Sequence, residues 1–180
     1  MSPHIISKWY WPEQPVLVDK ARNFAIKYHE GQKYRGLPYI EHLRQVATFL
    51  ILDLDIADVD AIAVAYLHDI LEDTKCTAEL LDREFNPGVT TIVRALTRDS
   101  DETSEDYMIR IHHAGRYAMA VKTADRVCNL KNLILDAEAG NLKLKLIERY
   151  ERELETIRKH FPMEFVAHIS GAHSHLRSVL

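Results

Sequence analysis

Apolar residues recur at helical spacing along most of this 180-residue chain, in runs that are separated by short polar breaks. Such a 3.6-residue period is typical of amphipathic helices that bury one face. Strict alternation of apolar and polar residues is scarce, and only six Gly and six Pro interrupt the chain. These features predict an all-α fold with a single domain over residues 1–180. Within it, 1–15 is expected to be an aromatic N-terminal arm and 161–180 a C-terminal helix.

Local signals predict where the individual helices begin and end. Gly31 ends the first helix, Pro38 opens the second as a first-turn proline, and Thr77 is a suitable N-cap. The acidic stretch 98–106 is predicted to be a connection in which Ser104 caps the next helix. The predicted helices are 16–29, 39–52, 58–72, 77–85, 89–97, 107–114, one through 121–131, and 142–159.

The composition limits the classes of partner. The net charge is -4, so a broad basic footprint for nucleic acid is not expected. The sequence contains no apolar run of about 18 residues that would span a membrane, and its N-terminus lacks the apolar core of a signal peptide. Cys76 and Cys128 form no CxxC pair, so we expect buried core cysteines in a reduced, cytoplasmic protein.

Four ionisable side chains are concentrated between Ala65 and Thr74, where His68-Asp69 is followed by Glu72-Asp73. On a helix, Asp69 and Asp73 would share a face and repel each other by a few tenths of a kcal/mol. A divalent cation would remove this repulsion. One imidazole beside one carboxylate is a donor mixture that suits Mn, Fe or Zn. An acidic helix end facing water would give the same pattern, so this stretch alone does not distinguish a metal site from an exposed helix end.

A second polar group occupies one helical face, formed by Lys122, Asp125, Arg126 and Asn129. Such a stripe is normally the solvent side of a helix. Here the opposite face consists of small apolar residues, as in a helix that is buried on more than one side. If the polar face points inward, Asp125 supplies a further carboxylate and its neighbours supply groups for a ligand.

The segment from Gly31 to Tyr39 contains Lys33, Tyr34 and Arg35. Cations beside aromatic rings can bind a base and its phosphates, although a solvated surface loop would have the same composition. His42 follows in the first turns of the next predicted helix. A single His on such a helix is usually structural unless partners surround it.

Four ordered motifs resemble those of the HD-domain metal-dependent phosphohydrolases, and specifically the hydrolase domain of the RelA/SpoT-type alarmone enzymes. The resemblance covers about residues 17–160, and nothing in the chain resembles the synthetase domain of the long bifunctional members. The motifs are His29-x-Gly-Gln-x-x-Arg35, Pro38-Tyr-Ile-x-His42-Leu-x-x-Val-Ala47, Leu67-His-Asp-x-x-Glu-Asp-Thr74 and Lys122-x-Ala-Asp-Arg-x-x-Asn-Leu130.

The resemblance implies an HD-domain helical bundle that removes the 3′-pyrophosphate from guanosine tetra- or pentaphosphate, a small-molecule substrate. It implies that Glu72 and Asp73 orient and deprotonate the attacking water and help the leaving group. The implied metal is one Mn²⁺, with Fe or Zn as other candidates. The implied metal ligands are His42, His68, Asp69 and Asp125, and the implied substrate-binding residues are Lys33, Tyr34, Arg35, Lys122, Arg126 and Asn129.

The loop between Gln32 and Pro38 departs from the family pattern, because it is one residue shorter and Tyr34 displaces the basic residues. Since this loop selects the base in the family, a second hypothesis is an HD-type phosphatase acting on another nucleotide, such as NADPH or a nucleoside phosphate. A third hypothesis, of a different class, is a non-catalytic nucleotide sensor. A full ligand set together with Glu72-Asp73 argues against a sensor, since a pure binder needs no acid/base pair. The sequence leaves the oligomeric state open.

Overall fold

The computed structural model describes residues 16–141 and 143–180, and the predicted arm 1–15 lies outside them. The described residues are mainly helical, which confirms the predicted all-α fold; they also form one small antiparallel hairpin that pairs Lys33 with Pro38 and Tyr34 with Leu37. The elements in chain order are α1 (Val16–Tyr28), β1 (Lys33–Tyr34), β2 (Leu37–Pro38), α2 (Ile40–Leu52), α3 (Val59–Leu67), α4 (Ile70–Asp73), α5 (Ala78–Glu84), α6 (Pro87–Leu96), α7 (Ser104–His113), α8 (Arg116–Glu138), α9 (Leu144–His160) and α10 (Met163–Val179).

Helix α8 runs through the middle of the fold and packs against α2, α6, α7 and α10. Small side chains such as Ala118, Ala120 and Ala124 are fully buried and let these neighbours approach closely. The polar residues Asp125 and Arg126 on the same helix are buried as well. Buried charged groups need partners inside the protein, so this part of the polar face points inward, which is the alternative that the sequence left open.

Helix α3 is the most apolar element near the site. All its residues from Ala61 to Leu67 are buried, and it packs against α1, α2 and α6. Burial of each large apolar side chain contributes about 1.5–3 kcal/mol, which fixes the position of the helix end. His68 follows directly as the C-terminal cap, so a rigid part of the core holds the first residues of the site.

Side chains at the helix N-termini satisfy backbone amides that would otherwise lack partners. Asp58 accepts hydrogen bonds from the amides of Asp60 and Ala61, and Thr77 caps α5 as predicted. The prediction that Ser104 caps α7 was wrong. Thr103 is the cap: its hydroxyl accepts from the amide of Asp106 at 3.1 Å and donates to the Asp106 carboxylate. Because Thr103 has extended backbone angles and caps the helix in this way, α7 begins at Ser104, three residues before the predicted start at 107.

Three other predicted boundaries were wrong. The predicted helix 58–72 is interrupted at His68-Asp69, between α3 and α4; consecutive side chains on a regular helix point about 100° apart, and the interruption lets these two converge. Pro38 lies in strand β2, and α2 begins at Ile40, because pairing with Lys33 holds the proline in the hairpin. Helix α9 begins at Leu144, and Leu142 lies outside the described residues.

Both cysteines are free and buried, as predicted. Burial raises the pKa of the Cys76 thiol, and it raises that of Cys128 to about 12, which makes both poor nucleophiles. Across residues 16–141 and 143–180, no helix has the length and apolar character needed to cross a membrane.

Candidate active site

Two imidazoles and two carboxylates from separate elements face one point at the centre of the fold. His42 comes from α2, His68 and Asp69 from the interruption after α3, and Asp125 from the middle of α8. The Nε2 atom of His42 lies 3.4 Å from Asp125 Oδ1 and 3.8 Å from Asp69 Oδ2. The Nε2 atom of His68 lies 3.0 Å from Asp69 Oδ2 and 3.8 Å from Asp125 Oδ1. The structure therefore brings together all the side chains that the sequence predicts as metal ligands.

The tautomer of His68 is set by the backbone. Its Nδ1 lies 2.9 Å from the carbonyl oxygen of Ala65 and can only donate to it. In the neutral imidazole, Nε2 then carries the lone pair, and this buried atom has no hydrogen-bond partner within the described residues. A lone pair 3.0 Å from the Asp69 carboxylate is repulsive unless a positive charge, from a proton or a metal ion, lies between them. This is the usual arrangement of a metal-bound imidazole whose other nitrogen donates to a carbonyl.

The spacing of the donor atoms fits a small divalent metal. Ligand bonds of about 2.0–2.2 Å place neighbouring donor atoms about 3.0–3.6 Å apart, close to the 3.0–3.8 Å found between these imidazoles and carboxylates. One donor atom each from His42, His68 and Asp125 lies within 4.8 Å of the other two. The donor set therefore fits a metal such as Mn, Fe or Zn.

The electrostatics of this cluster also favour a cation. Burial lowers the pKa of the His68 imidazole, but the Asp69 and Asp125 carboxylates outweigh burial and raise it well above its usual value. Burial raises the pKa of Asp125, but Lys122 and the two imidazoles hold it well below its usual range. The raised pKa of His68 reflects the two carboxylates beside it, and the lowered pKa of Asp125 means that its carboxylate stays ionised. Ionised carboxylates stabilise a positive charge at this point, which a divalent metal supplies more fully than a proton does.

A chain of hydrogen bonds orients the Asp125 carboxylate. Asn129 donates from Nδ2 to Asp125 Oδ1 at 2.6 Å, and the Tyr34 hydroxyl donates to Asn129 Oδ1 at 2.6 Å. The Lys122 ammonium lies 3.4 Å from the other oxygen, Oδ2. The ring of Tyr34 also contacts that of His42, with centroids 4.8 Å apart. These contacts connect the hairpin to the predicted metal ligands.

The Tyr39 hydroxyl connects Asp69 with Asp73. It lies 2.7 Å from Asp69 Oδ2 and 3.1 Å from Asp73 Oδ2, as a shared donor. Burial and the nearby Asp69 carboxylate raise the pKa of Asp73. Gln32 donates to the backbone carbonyl of Asp73 and contacts His29 Nδ1 at 2.7 Å. Asp73 is therefore held in place through both its side chain and its backbone.

Glu72 lies on the wall of a cavity of about 200 Å³ that opens beside the cluster. Its Oε2 accepts a hydrogen bond from the backbone amide of Arg98 at 3.2 Å, and its side chain remains exposed. A carboxylate in this position can accept a proton from a water molecule near the ligand point. Lining residues from several elements include Tyr34, Tyr39, Leu96, Arg98, Tyr107, Lys122, Arg126, Asn129, Arg149 and Tyr150.

The family model described as "HD domain" matches residues 21–160. The chain belongs to the HD-domain family. Among curated proteins it is 36% identical, over 62% of this chain and 66% of the relative, to guanosine-3′,5′-bis(diphosphate) 3′-pyrophosphohydrolase MESH1 of Danio rerio. The MESH1 protein of Xenopus tropicalis is 30% identical over 79% of this chain and 84% of its own length.

A solved structure, described as a metazoan ortholog of SpoT that hydrolyzes ppGpp, has the same fold. It superposes with a TM-score of 0.74 and 21% identity, and the match covers 94% of this chain and 100% of that chain. At 21% identity, this match shows that the two proteins share a fold. The HD-domain fold that the motifs imply is thus confirmed.

The HD-domain cavity includes some of the predicted substrate residues and leaves others outside. Tyr34, Lys122, Arg126 and Asn129 line it, whereas Lys33 and Arg35 do not. Arg35 instead pairs with Asp136 at 2.9 Å and donates to the backbone carbonyl of Asn132. These partners hold Arg35 against the last turns of α8, so its guanidinium stabilises the hairpin.

The remaining cavity residues of the HD domain were missed by sequence reasoning. Tyr39 had a usable signal, because it lies three residues before His42 and therefore near the same helix face. Tyr150 follows the apolar period of the predicted helix 142–159, which indicates packing in the core and gives no sign of contact with a ligand. Arg98, Tyr107 and Arg149 have no local pattern that separates them from ordinary surface or core residues.

Proposed function

We propose that this protein is a metal-dependent pyrophosphohydrolase that converts guanosine tetra- or pentaphosphate into GDP or GTP and pyrophosphate. The observation that supports this most is the cluster of His42, His68, Asp69 and Asp125, in which all but Asp69 are buried, with Glu72 and Asp73 beside it. The MESH1 relatives are named for this reaction on the same substrate, and their similarity supports the choice of nucleotide.

We propose Mn²⁺ as the metal, held by His42, His68, Asp69 and Asp125. Two imidazoles and two carboxylates suit Mn²⁺, and Fe or Zn are the other candidates. When bound, such an ion lowers the pKa of water and polarises a phosphoryl oxygen. Lys122 lies beside Asp125 Oδ2, and Asn129 donates to Oδ1, the oxygen that faces the imidazoles; together they keep the carboxylate ionised and oriented.

In the proposed reaction, the oxygen of water attacks the phosphorus bonded to O3′, and the P–O3′ bond breaks. Glu72 takes the proton from the attacking water, which is a typical role for a positioned carboxylate. Asp73, held by Tyr39 and Gln32, assists as the proton reaches the leaving O3′. Nearby cations stabilise the charge on the phosphoryl oxygens.

For substrate binding we propose Tyr34, Lys122, Arg126 and Asn129 as cavity residues. Lys33 and Arg35 are proposed only as part of the hairpin beside the base, because neither lines the cavity. We also place the enzyme in the cytoplasm, a location that its free cysteines and a guanine nucleotide substrate support.

A product assay tests the proposal. The purified protein with Mn²⁺ is incubated with guanosine tetraphosphate, and in parallel with NADPH and simple nucleoside phosphates. Release of GDP and pyrophosphate, lost after chelation of the metal, is expected. Phosphate release from NADPH or another nucleotide alone would instead make the protein an HD-type phosphatase of different specificity. Absence of turnover on every substrate would contradict an enzymatic role and favour a nucleotide sensor.

A further inference from the structure

Four cationic side chains line the cavity, and protein groups already occupy three of them. The Lys122 ammonium lies beside Asp125, and its side chain is only 12% exposed. Arg126 is 5% exposed, and its Nη2 is 2.5 Å from Glu153 Oε2. Arg98 donates from Nη2 to the carbonyl of Glu102 and the hydroxyl of Ser104. Each of these three cations already interacts with a protein group that takes up part of its charge or of its hydrogen-bonding capacity.

Arg149 differs from the other three. Its Nε donates to Glu153 Oε1 at 3.0 Å, and its side chain is 54% exposed although it lines the cavity. Among the described residues, no hydrogen bond engages its two Nη groups. A guanidinium with a free Nη edge can bind two phosphate oxygens at once.

Glu153 fixes the direction of that edge. Its buried carboxylate is shared, with one oxygen on Arg126 and the other on Arg149. Arg126 is itself immobilised, because its guanidinium lies 4.0 Å from the centroid of the Tyr150 ring. Two guanidinium groups share one carboxylate, so the cluster retains one positive charge, and it is placed on the accessible Arg149.

We propose that Arg149 binds a phosphate group of the nucleotide other than the one hydrolysed, and that Glu153 is its positioning residue. This inference rests on the proposed function. A nucleotide phosphorylated on both O3′ and O5′, with the 3′ group at the metal cluster, needs a second cation for its 5′-diphosphate. Arg149 would then make the enzyme prefer doubly phosphorylated nucleotides to those phosphorylated only on O3′.

The test compares two substrates, guanosine 5′-diphosphate 3′-diphosphate and guanosine 3′-diphosphate, for the Mn²⁺-loaded wild type and the Arg149→Gln variant. A charge-assisted hydrogen bond of the usual strength corresponds to a roughly ten- to hundredfold change in affinity. We expect KM for the first substrate to rise by about that factor, with kcat nearly unchanged, while KM for the second stays within about twofold. The preference for the doubly phosphorylated substrate should disappear.

Two further variants separate positioning from general damage. Arg152→Gln makes the same charge change at an exposed position of the same helix and should keep the wild-type preference. Glu153→Gln should reduce the preference as Arg149→Gln does, whereas loss of structure alone would weaken both substrates equally. An Arg149→Gln variant with an unchanged preference would overturn the inference and leave the proposed function intact.

Binding of GDP gives a readout that does not need turnover. Calorimetry on metal-free and Mn²⁺-loaded protein should find GDP bound more weakly by Arg149→Gln, by about the same factor as the change in KM. If the wild type turns over neither substrate, the proposed function fails, and GDP binding alone decides the role of Arg149. Equal affinity in wild type and variant, or no binding by the wild type, would then reject that role.

Discussion

Asp125 is the residue on which the metal cluster depends most, because it faces both imidazoles and is also bound by Asn129 and Lys122. We expect Asp125→Ala to abolish metal retention and turnover together, since it removes one ligand and leaves the Lys122 charge buried without its partner. Metal content by mass spectrometry and product release should be measured on the same sample. Asp136→Ala, on the same helix but paired with Arg35 outside the cavity, is the matched control, and an active metal-free Asp125→Ala would contradict the ligand assignment.

Glu72 is predicted to act on the proton of the attacking water without binding the metal. Glu72→Gln keeps the size of the side chain but cannot accept that proton, so we expect bound metal and a rate lower by about 10² to 10⁴. The rate should be measured at saturating substrate with metal content determined in parallel. Glu155→Gln, exposed on α9, should behave as wild type; an unchanged rate in Glu72→Gln would remove Glu72 from the mechanism.

How far the sequence predicts the site depends on how local each residue's partners are. His68 and Asp69 are adjacent in the chain, and His42 and Asp125 sit in recognisable motifs, so these could be identified before the structure. Arg149 and Glu153 could not, because their role arises only where α9 passes over the cavity next to Arg126. Arg35 is of a residue type that often binds phosphate, but it pairs with Asp136. Because Asp136 is distant in sequence, no local pattern reveals this pairing.

Among the elements, the hairpin of β1 and β2 is held to α8 by the side chains of Arg35 and Tyr34. The Tyr34 hydroxyl donates to Asn129 and accepts from Asn132 Nδ2 at 3.3 Å, and burial raises its pKa to about 12. Tyr34→Phe removes both hydrogen bonds, which should lower the free energy of unfolding by about 0.5–1.5 kcal/mol per bond. It should also speed amide exchange in residues 33–38 measured by mass spectrometry.

Tyr28→Phe is the control for this change, since the Tyr28 hydroxyl makes no hydrogen bond within residues 16–141 and 143–180. Exchange in the hairpin should remain at the wild-type rate in that variant. If Tyr34→Phe also left exchange unchanged, the backbone pairing of Lys33 with Pro38 and the contacts of Arg35 with α8 would be sufficient to hold the hairpin, and Tyr34 would act only on Asn129.

The helices themselves were largely predictable, and their ends less so. Apolar periodicity located each helix, because it reflects burial of one face. The interruption at His68-Asp69 was not predictable, since nothing in local propensity opposes a continuous helix there. The interruption places His68 and Asp69 beside His42 of α2 and Asp125 of α8, which are distant in sequence.

At the scale of the whole molecule, the buried pair of Arg126 and Glu153 connects α8 to α9 and makes stability depend on pH. Burial raises the pKa of Glu153, but Arg126, Lys122 and Arg149 outweigh it and lower the pKa below its usual value. The folded state therefore releases this proton more readily than the unfolded state, whose glutamate has a pKa of about 4.3. The stabilisation is complete above that pH and is lost as the pH falls through the lower, folded-state value.

Glu153→Gln should thus destabilise the protein by about 3–5 kcal/mol at pH 7, because it leaves the Arg126 charge buried without a partner. Below about pH 4.3 the Glu153 carboxyl of the unfolded wild type binds a proton, while that of the folded protein stays ionised down to its lower pKa, so the difference between the two proteins should shrink steadily. Urea unfolding at several pH values between 7 and 3.5 measures that difference. Glu148 is exposed on the same helix, so Glu148→Gln should have nearly the same free energy of unfolding as the wild type at every pH. A Glu153→Gln difference that stays constant across this range would mean that Glu153 stabilises the fold by packing, with its charge contributing nothing.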